Sequence, residues 1–105
     1  MEIKQKAARV LELLKLPLAG VNLRLCVDGG LHVFEADRNG VTHRVCYPDD
    51  VLAQRDPKEL AMVAAAILTL LRSDPTPVDV VVRSGMFETM LRATSSYPNP
   101  LAATP

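Results

Sequence analysis

The side chains that could carry out acid–base, nucleophilic or metal chemistry in this chain are few and scattered. They are two histidines, two cysteines and one acidic group, namely His32, His43, Cys26, Cys46, Asp49, Asp50 and Asp56. The sequence contains no GxSxG, no phosphate-binding glycine loop, no HExxH and no CxxC. Any catalytic or metal site must therefore be assembled by the fold from residues that are distant in sequence.

Three predicted strands hold both histidines and both cysteines. Alternation of apolar and polar residues predicts strands at 21–27, 31–37 and 41–47. Gly29-Gly30 and Asn39-Gly40 separate them, and both pairs are typical of tight hairpin turns because Gly and Asn tolerate a positive φ. The sequence therefore predicts a three-stranded antiparallel meander.

Two-residue turns at these positions also predict the register of the meander. Arg24 then faces Glu35, and Glu35 faces Arg44, so that one acid lies between two bases in a row across the sheet. Opposite charges in facing positions stabilise a sheet by a few tenths of a kcal/mol to about 1 kcal/mol. The agreement between turns and charges supports this register.

The register sorts the strand residues onto two faces. The face predicted to meet the core carries Val21, Leu23, Leu25, Val27, His32, Phe34, Ala36, Val41, His43, Val45 and Tyr47. The face predicted to meet water or a partner carries Asn22, Arg24, Cys26, Asp28, Leu31, Val33, Glu35, Asp37, Thr42, Arg44 and Cys46.

This placement leaves little for catalysis. Cys26 and Cys46 are predicted roughly 9 to 10 Å apart across the middle strand, beyond the Cα separation of about 7 Å that a disulfide allows, so we expect free thiols. No histidine shares their face to activate a thiol. His32 and His43 are predicted about 13 Å apart and cannot share a metal; His32, in one row with Val27 and Tyr47, is the better functional candidate.

The acidic group is explained most simply by helix caps. Asp49 or Asp50 can begin a short helix that continues through Gln54, and Asp56 is a good N-cap for the helix that follows. We therefore assign no catalytic, cofactor-binding or metal-binding residue, and no cofactor.

The main helix is predicted at 57–72. Pro57 suits the first helical position, and Glu59 stands three residues after Asp56, as in a capping box. The segment from Leu60 to Leu71 is apolar on every side, so this helix is either buried all round or half buried and covered by a partner. We favour a self-association or partner surface, with Met62, Ala65, Ala66 and Thr69 as its contacts on the helix and Arg24, Val33, Glu35 and Arg44 as contacts on the open sheet face.

The remaining segments complete an α+β fold. Residues 2–15 are predicted to form an amphipathic helix, 78–83 a fourth strand on one edge of the meander, and 84–94 a short last helix. The predicted order is α-β-β-β-α-β-α, with the helices packed on one face of a mostly antiparallel sheet. We expect one domain over 1–93 and a disordered Pro-rich tail over 94–105.

The composition limits the cellular compartment and the classes of partner that can be expected. The chain has 105 residues, twelve basic and twelve acidic, and a net charge of zero, which removes the long-range attraction behind non-specific nucleic-acid binding. The N-terminal residues alternate charged and apolar types, unlike a signal peptide. The longest apolar run, from Leu60 to Leu71, is too short for a membrane span of about 20 residues. We expect a cytoplasmic protein that binds neither membranes nor nucleic acid.

These observations favour a non-enzymatic protein-binding module, which would act as an adaptor, inhibitor or chaperone by occupying a protein partner, and which would be a homodimer. Two alternatives stay open. One is a small enzyme or small-ligand binder that uses His32, Tyr47 and Cys46 in a pocket between sheet and helices. The other is a structural subunit of a larger assembly, which would form rings or filaments beyond a dimer.

A single substitution tests whether the main helix is the surface of self-association. If it is, Ala66→Arg places a charge in that contact and should abolish dimerisation, while the far-UV circular dichroism spectrum stays unchanged. Sedimentation velocity measures the outcome. A variant that remains dimeric would show that two copies associate elsewhere.

Overall fold

The computed structural model describes residues 2–83 and the backbone of residues 86–91. Its elements, in chain order, are α1 (Ile3–Leu14), β1 (Asn22–Asp28), β2 (Leu31–Arg38), β3 (Val41–Pro48), α2 (Asp49–Gln54), α3 (Pro57–Leu70), β4 (Val78–Arg83) and β5 (Met86–Leu91). The strands form one mixed sheet in the order β1-β2-β3-β4-β5. The predicted α+β class is confirmed.

The meander has the predicted register. Arg24 pairs with Glu35 and Glu35 with Arg44, so the row of charges forms as expected. Gly29 and Gly30 both have positive φ, at 56° and 80°, which is the type I′ turn that matches the twist of paired strands. Both hairpins are therefore closed by the two-residue turns that the sequence predicts.

Beyond the meander, the sheet continues with a change of direction. The fourth strand, β4, has its predicted bounds and joins β3 in parallel, with Val45 facing Val80. The segment predicted as a last helix at 84–94 contains a strand instead, β5, which runs antiparallel to β4. Its apolar residues, Met86, Phe87, Met90 and Leu91, fit one stripe of a helix, but the backbone of the segment pairs with β4, which local periodicity does not reveal. The predicted tail at 94–105 lies outside the described residues.

The helices pack on one face of the sheet, and the main core lies between them. The apolar residues buried there come from every described helix, from the turn after α1 and from the three central strands: Ala7, Val10, Leu14, Leu18, Phe34, Ala36, Val45, Tyr47, Val51, Leu52, Leu60, Ala61, Ala64, Leu68, Val78, Val80 and Val82. Val27 was predicted on this face but is 62% exposed, because it lies near the end of the terminal strand β1.

Three hydrogen bonds hold the helices and the parallel strand in place. The hydroxyl of Tyr47 donates to the carbonyl oxygen of Leu60, 2.6 Å away, in the first turns of α3. Arg38 donates to the carbonyl of Leu68 at the other end of the same helix, at 3.0 Å. Val78 N–H donates to Nδ1 of His43 at 3.3 Å, which fixes the start of β4 beside β3. Both ends of α3 are thus tied to the sheet.

The second face of the sheet is less open than the sequence predicts. Val33, Cys46 and Val81 are buried side by side on the three central strands, with relative exposures of 2%, 4% and 1%. Cys26 and Leu31 pack against them. This face therefore contains a small apolar cluster of its own, and Val33 does not reach the surface as a contact residue would.

The start of α3 is predicted correctly, but its capping is not. Asp56 is the N-cap and Pro57 the first helical residue. The Asp56 side chain makes no capping hydrogen bond, and Glu59 pairs with Arg55 at 3.0 Å instead of reaching back to the cap. The ion pair with Arg55 thus replaces the predicted capping box.

Gly29 offers a test of the first hairpin. At its φ of +56°, Gly29→Ala should destabilise the fold by about 1 to 2 kcal/mol, because residues with a Cβ disfavour the left-handed region. Gly29→Asn is the matched control, since Asn tolerates positive φ and Asn39 occupies the equivalent first position of the second turn, with a φ of 55°. Urea unfolding measures both variants, and equal losses would argue against backbone strain as the cause.

Candidate protein-interaction surface

Helix α3 exposes an apolar face as well as burying one. Its buried side consists of Leu60, Ala61, Ala64 and Leu68. On the outward side Met62 is 68% exposed and Leu70 is 83% exposed, with Ala66 and Thr69 exposed beside them. The helix is therefore half buried, which is one of the two arrangements its sequence allows, and its outward face has apolar side chains that no described residue covers.

A shallow groove runs between this helix and the C-terminal end of α1. It has a volume of about 290 Å³ and is lined by Leu13, Pro17, Lys58, Ala61, Met62 and Ala65. Met62 and Ala65 were predicted as contacts, whereas Leu13 and Pro17 were not. Leu13 widens the apolar stripe of α1 beyond what one packing face needs, and that excess is the signal that could have identified it.

The lining of the groove is suited to binding apolar groups. Five of its six lining residues are apolar, and Lys58 adds a positive charge. Leu16, which is 86% exposed, lies beside the lining residue Pro17 in the chain. A methionine such as Met62 adapts its shape to different partners because its side chain is unbranched and flexible. This arrangement can accept an apolar side chain and pair with a carboxylate near Lys58.

The candidate residues on the sheet form a row of alternating charges. Glu35 Oε2 lies 2.8 Å from Arg44 Nε, and Glu35 Oε1 lies 3.8 Å from Arg24 Nε. Arg44 Nη1 lies 3.9 Å from Asp79 Oδ2, which extends the row onto β4. Arg44 Nε makes no hydrogen bond, so its approach to Glu35 is a contact between charges rather than an aligned bond. Asp79 was missed because the strand neighbouring β3 could not be predicted.

The structure therefore does not bring the predicted contact residues into a single site. Met62, Ala65, Ala66 and Thr69 lie on α3, which covers one face of the sheet, while Arg24, Val33, Glu35 and Arg44 point from the other face. Within the sheet group, Arg24 is open to solvent, with 73% of its side chain exposed, whereas Glu35 is 11% exposed and is engaged by its neighbours. The helix group is the more accessible of the two.

His32 is paired with an acid that the sequence analysis explains as a helix cap. Its Nε2 lies 2.6 Å from Oδ1 of Asp49, which is the first residue of α2, whereas the N-cap of that helix is Pro48 and not an aspartate. The imidazole is 8% exposed and the carboxylate 69% exposed, so the pair reaches the surface only through Asp49. A histidine held by a carboxylate can act as a general base when a substrate reaches its other nitrogen.

The other side chains predicted for an enzymatic site, Tyr47 and Cys46, do not converge on His32. Tyr47 is fully buried, donates to Leu60, and packs edge-on against Phe34 with ring centroids 5.8 Å apart. Burial raises the pKa of the Tyr47 hydroxyl well above its usual range, and the charge of Arg55 offsets part of that effect. Cys46 lies on the opposite face of the sheet from both His32 and Tyr47.

His43 has a structural role. Its Nδ1 accepts the hydrogen bond from Val78, and its Nε2 lies 3.1 Å from the carbonyl oxygen of Asp74. Nε2 is therefore the nitrogen that carries the hydrogen, since a carbonyl can only accept. Cys26 and Cys46 are not joined in a disulfide, as predicted.

Neither a metal centre nor a membrane span is evident in the part of the chain that the structure describes. No three His, Cys, Asp or Glu side chains lie close enough together to hold a metal ion. None of the described helices combines the length and apolar character needed to cross a bilayer. Comparison of the chain with protein-family models, with curated proteins and with solved structures gives no match.

The buried hydroxyl of Tyr47 predicts a particular pH dependence of stability. Its pKa is raised in the folded state above the value of about 10 in an unfolded chain. The unfolded state therefore releases this proton first, so the stabilisation is present below pH 10 and is lost above it at about 1.4 kcal/mol per pH unit.

Tyr47→Phe isolates this effect. The variant should be less stable than the original chain near neutral pH, by about 1 kcal/mol for the lost hydrogen bond. The difference should shrink above pH 10 because only the original chain loses the Tyr47 contribution there. Urea unfolding of both proteins between pH 7 and pH 11 measures it. A difference that stays constant over that range would contradict the assignment.

Proposed function

We propose that this chain is a small non-enzymatic protein-binding module that acts in the cytoplasm as an adaptor, inhibitor or chaperone, by occupying a protein partner, and that it does so as a homodimer. The observation that carries the proposal is the apolar groove between α1 and α3, with the exposed Met62 at its edge. Exposed apolar surface next to a groove is typical of surfaces that bind other proteins.

The groove indicates the chemistry of the segment that it would bind. Two helices form its walls, as in proteins that bind an amphipathic helix by its apolar face. Lys58 lies in the lining beside Met62, so a partner with an acidic residue next to its apolar anchor would match both features. Contact with Lys58 would contribute mainly to orientation, because ion pairs at an exposed rim add little affinity.

The enzymatic alternative rests on the pair formed by His32 and Asp49. The close contact between their side chains would suit a general base. Neither of the other two predicted side chains converges on this pair, because the Tyr47 hydroxyl is hydrogen-bonded to Leu60 and Cys46 lies on the other face of the sheet. The alternative of a structural subunit in a larger assembly is distinguished by stoichiometry.

Met62→Lys tests the binding function. Native mass spectrometry of the tagged protein recovered from the lysate of its own host should show a stoichiometric second protein with the original chain. Met62→Lys should lose that protein, because a charge at the groove opposes burial of an apolar anchor. Leu70→Lys is the matched control, since Leu70 is also an exposed apolar residue of α3 but does not line the groove.

Two results would count against this proposal. Equal loss of the second protein in both variants would show that the groove is not the contact. A lone monomer that carries a small-molecule mass would favour the alternative based on His32 and Asp49, and His32→Gln should then abolish retention of that molecule.

A further inference from the structure

Strand β1 forms an open edge of the sheet. All seven of its residues pair with β2 in an unbroken ladder, and within residues 2–83 and 86–91 no strand lies on its other side. Edge strands of natural proteins are usually protected by proline, by charged side chains (lysine above all) or by a bulge. Strand β1 (NLRLCVD) has no proline, lysine or bulge, and its two charged side chains, Arg24 and Asp28, have opposite signs, so they disfavour only a neighbour whose charges do not match.

The hairpin geometry determines which backbone groups this edge presents. In a hairpin closed by two residues, the residues that flank the turn exchange hydrogen bonds, so Asp28 bonds to Leu31. By alternation, Cys26 and Arg24 also direct their backbone groups at β2. Leu25 and Val27 then direct their N–H and C=O groups away from the sheet. No backbone hydrogen bond outside the ladder engages these two among the described residues.

Several side chains along this edge are also exposed and could contact a neighbouring strand. Val27 is the most exposed apolar residue of β1 to β4, at 62%. Arg24 is 73% exposed and its contact with Glu35 is long, at 3.8 Å. Asp28 is exposed at the end of the strand. The edge thus combines free backbone groups, an exposed apolar side chain and two charges of opposite sign four residues apart.

From this arrangement we infer that β1 pairs antiparallel with β1 of a second copy of this chain, about a two-fold axis at Cys26. This inference rests on the homodimer of the proposed function and specifies its interface. Cys26 faces Cys26 of the second copy, Leu25 faces Val27 of the second copy, and Arg24 faces Asp28 of the second copy. The two sheets become one continuous sheet.

This register follows from charge and from the two faces of the strand. In a joined sheet, the side chains of facing residues must point to the same face, so the register between the two strands can change only in steps of two residues. The two-fold axis therefore passes through a residue, and the central candidates are Cys26, Leu25 and Val27. An axis at Leu25 would place Arg24 opposite Cys26, and an axis at Val27 would place Asp28 opposite Cys26. The axis at Cys26 alone gives two symmetric pairs of Arg24 with Asp28, and facing opposite charges stabilise paired strands.

The same register gives hydrogen-bond partners to the outward backbone groups of β1. Leu25 and Val27 of the two copies form the hydrogen-bonded pairs, because these are the residues whose N–H and C=O groups point outward. The pairing also covers Val27 with Leu25 of the second copy, which removes apolar surface from water. The α1–α3 groove takes no part in this contact.

Charge reversal tests the inference. Arg24→Asp alone and Asp28→Arg alone each create two like-charge pairs, and each should weaken dimerisation at least about tenfold in sedimentation velocity. An equimolar mixture of the two variants should restore a mixed dimer, because every facing pair in it is again an acid with a base. Arg72→Asp and Asp50→Arg, both at exposed positions outside β1, are the matched controls and should leave dimerisation unchanged.

Because Arg24→Asp also faces Glu35 within its own chain, Arg24→Gln provides a second variant that removes the attraction without adding repulsion. It should weaken the dimer less than Arg24→Asp does. Far-UV circular dichroism and the urea midpoint confirm that each variant is folded before its oligomeric state is compared.

Cross-linking tests the position of the axis. Facing residues in a non-hydrogen-bonded antiparallel pair have Cα atoms about 4.5 Å apart, which is within the range of a disulfide. Mild oxidation with diamide should therefore link two copies through Cys26. Cys26→Ser should abolish the link, and Cys46→Ser should keep it, because Cys46 is buried.

The outcomes separate this inference from the proposed function. Weakening by the single reversals, rescue by mixing and a Cys26 cross-link would support it. A dimer that Ala66→Arg dissociates and Arg24→Asp leaves intact would overturn the β1 interface but keep the homodimer, placed on α3. A dimer that gives no Cys26 cross-link would overturn the register. A monomer at every concentration would overturn both the interface and the homodimer.

Discussion

The attachment of α3 to the sheet at both of its ends is the constraint on which the rest of the molecule depends. Tyr47 is the largest fully buried side chain among residues 2–83, and its hydroxyl is hydrogen-bonded to the carbonyl of Leu60. Arg38 holds the far end of the same helix through Leu68. With both ends attached, α3 cannot rotate to bury its remaining apolar side chains, and Met62 stays at the surface. The exposed apolar face is thus a consequence of how the core is closed.

That constraint also divides the surfaces of the protein. The helices take one face of the sheet, so the row of charges on the other face remains outside the main core and is neutralised within the sheet. Glu35 lies between two arginines, and Asp79 adds a second acid to the row. Because Glu35, Arg44 and Asp79 are already engaged with one another, they offer less to a charged partner than the apolar groove does. For this reason the proposed partner contact lies on α3 and not on these three charges.

The parts of the fold that could be predicted are those set by local chemistry. Two-residue turns with Gly or Asn, together with facing charges, determined the meander, and Pro57 marked the start of α3. The last element could not be predicted, because its apolar residues fit one stripe of a helix, and only its pairing with the neighbouring β4 makes it a strand. The pairing of His32 with Asp49 was missed for a similar reason, since an acid at a helix start is usually explained by the helix alone. The α1 wall of the groove depends on how two helices pack, which composition does not reveal.

The parallel pairing of β3 with β4 has a consequence for the order in which the chain folds. Both hairpins of the meander join residues close in sequence, so their loops close at little entropic cost. Pairing of Val45 with Val80 must instead bring together strands separated by α2 and α3, and contacts between distant residues slow folding. The meander is therefore the natural nucleus, and β4 docks only once α3 has settled on it. Until then the β3 edge is open as well as the β1 edge, and the nascent chain is most vulnerable to intermolecular strand pairing during this interval.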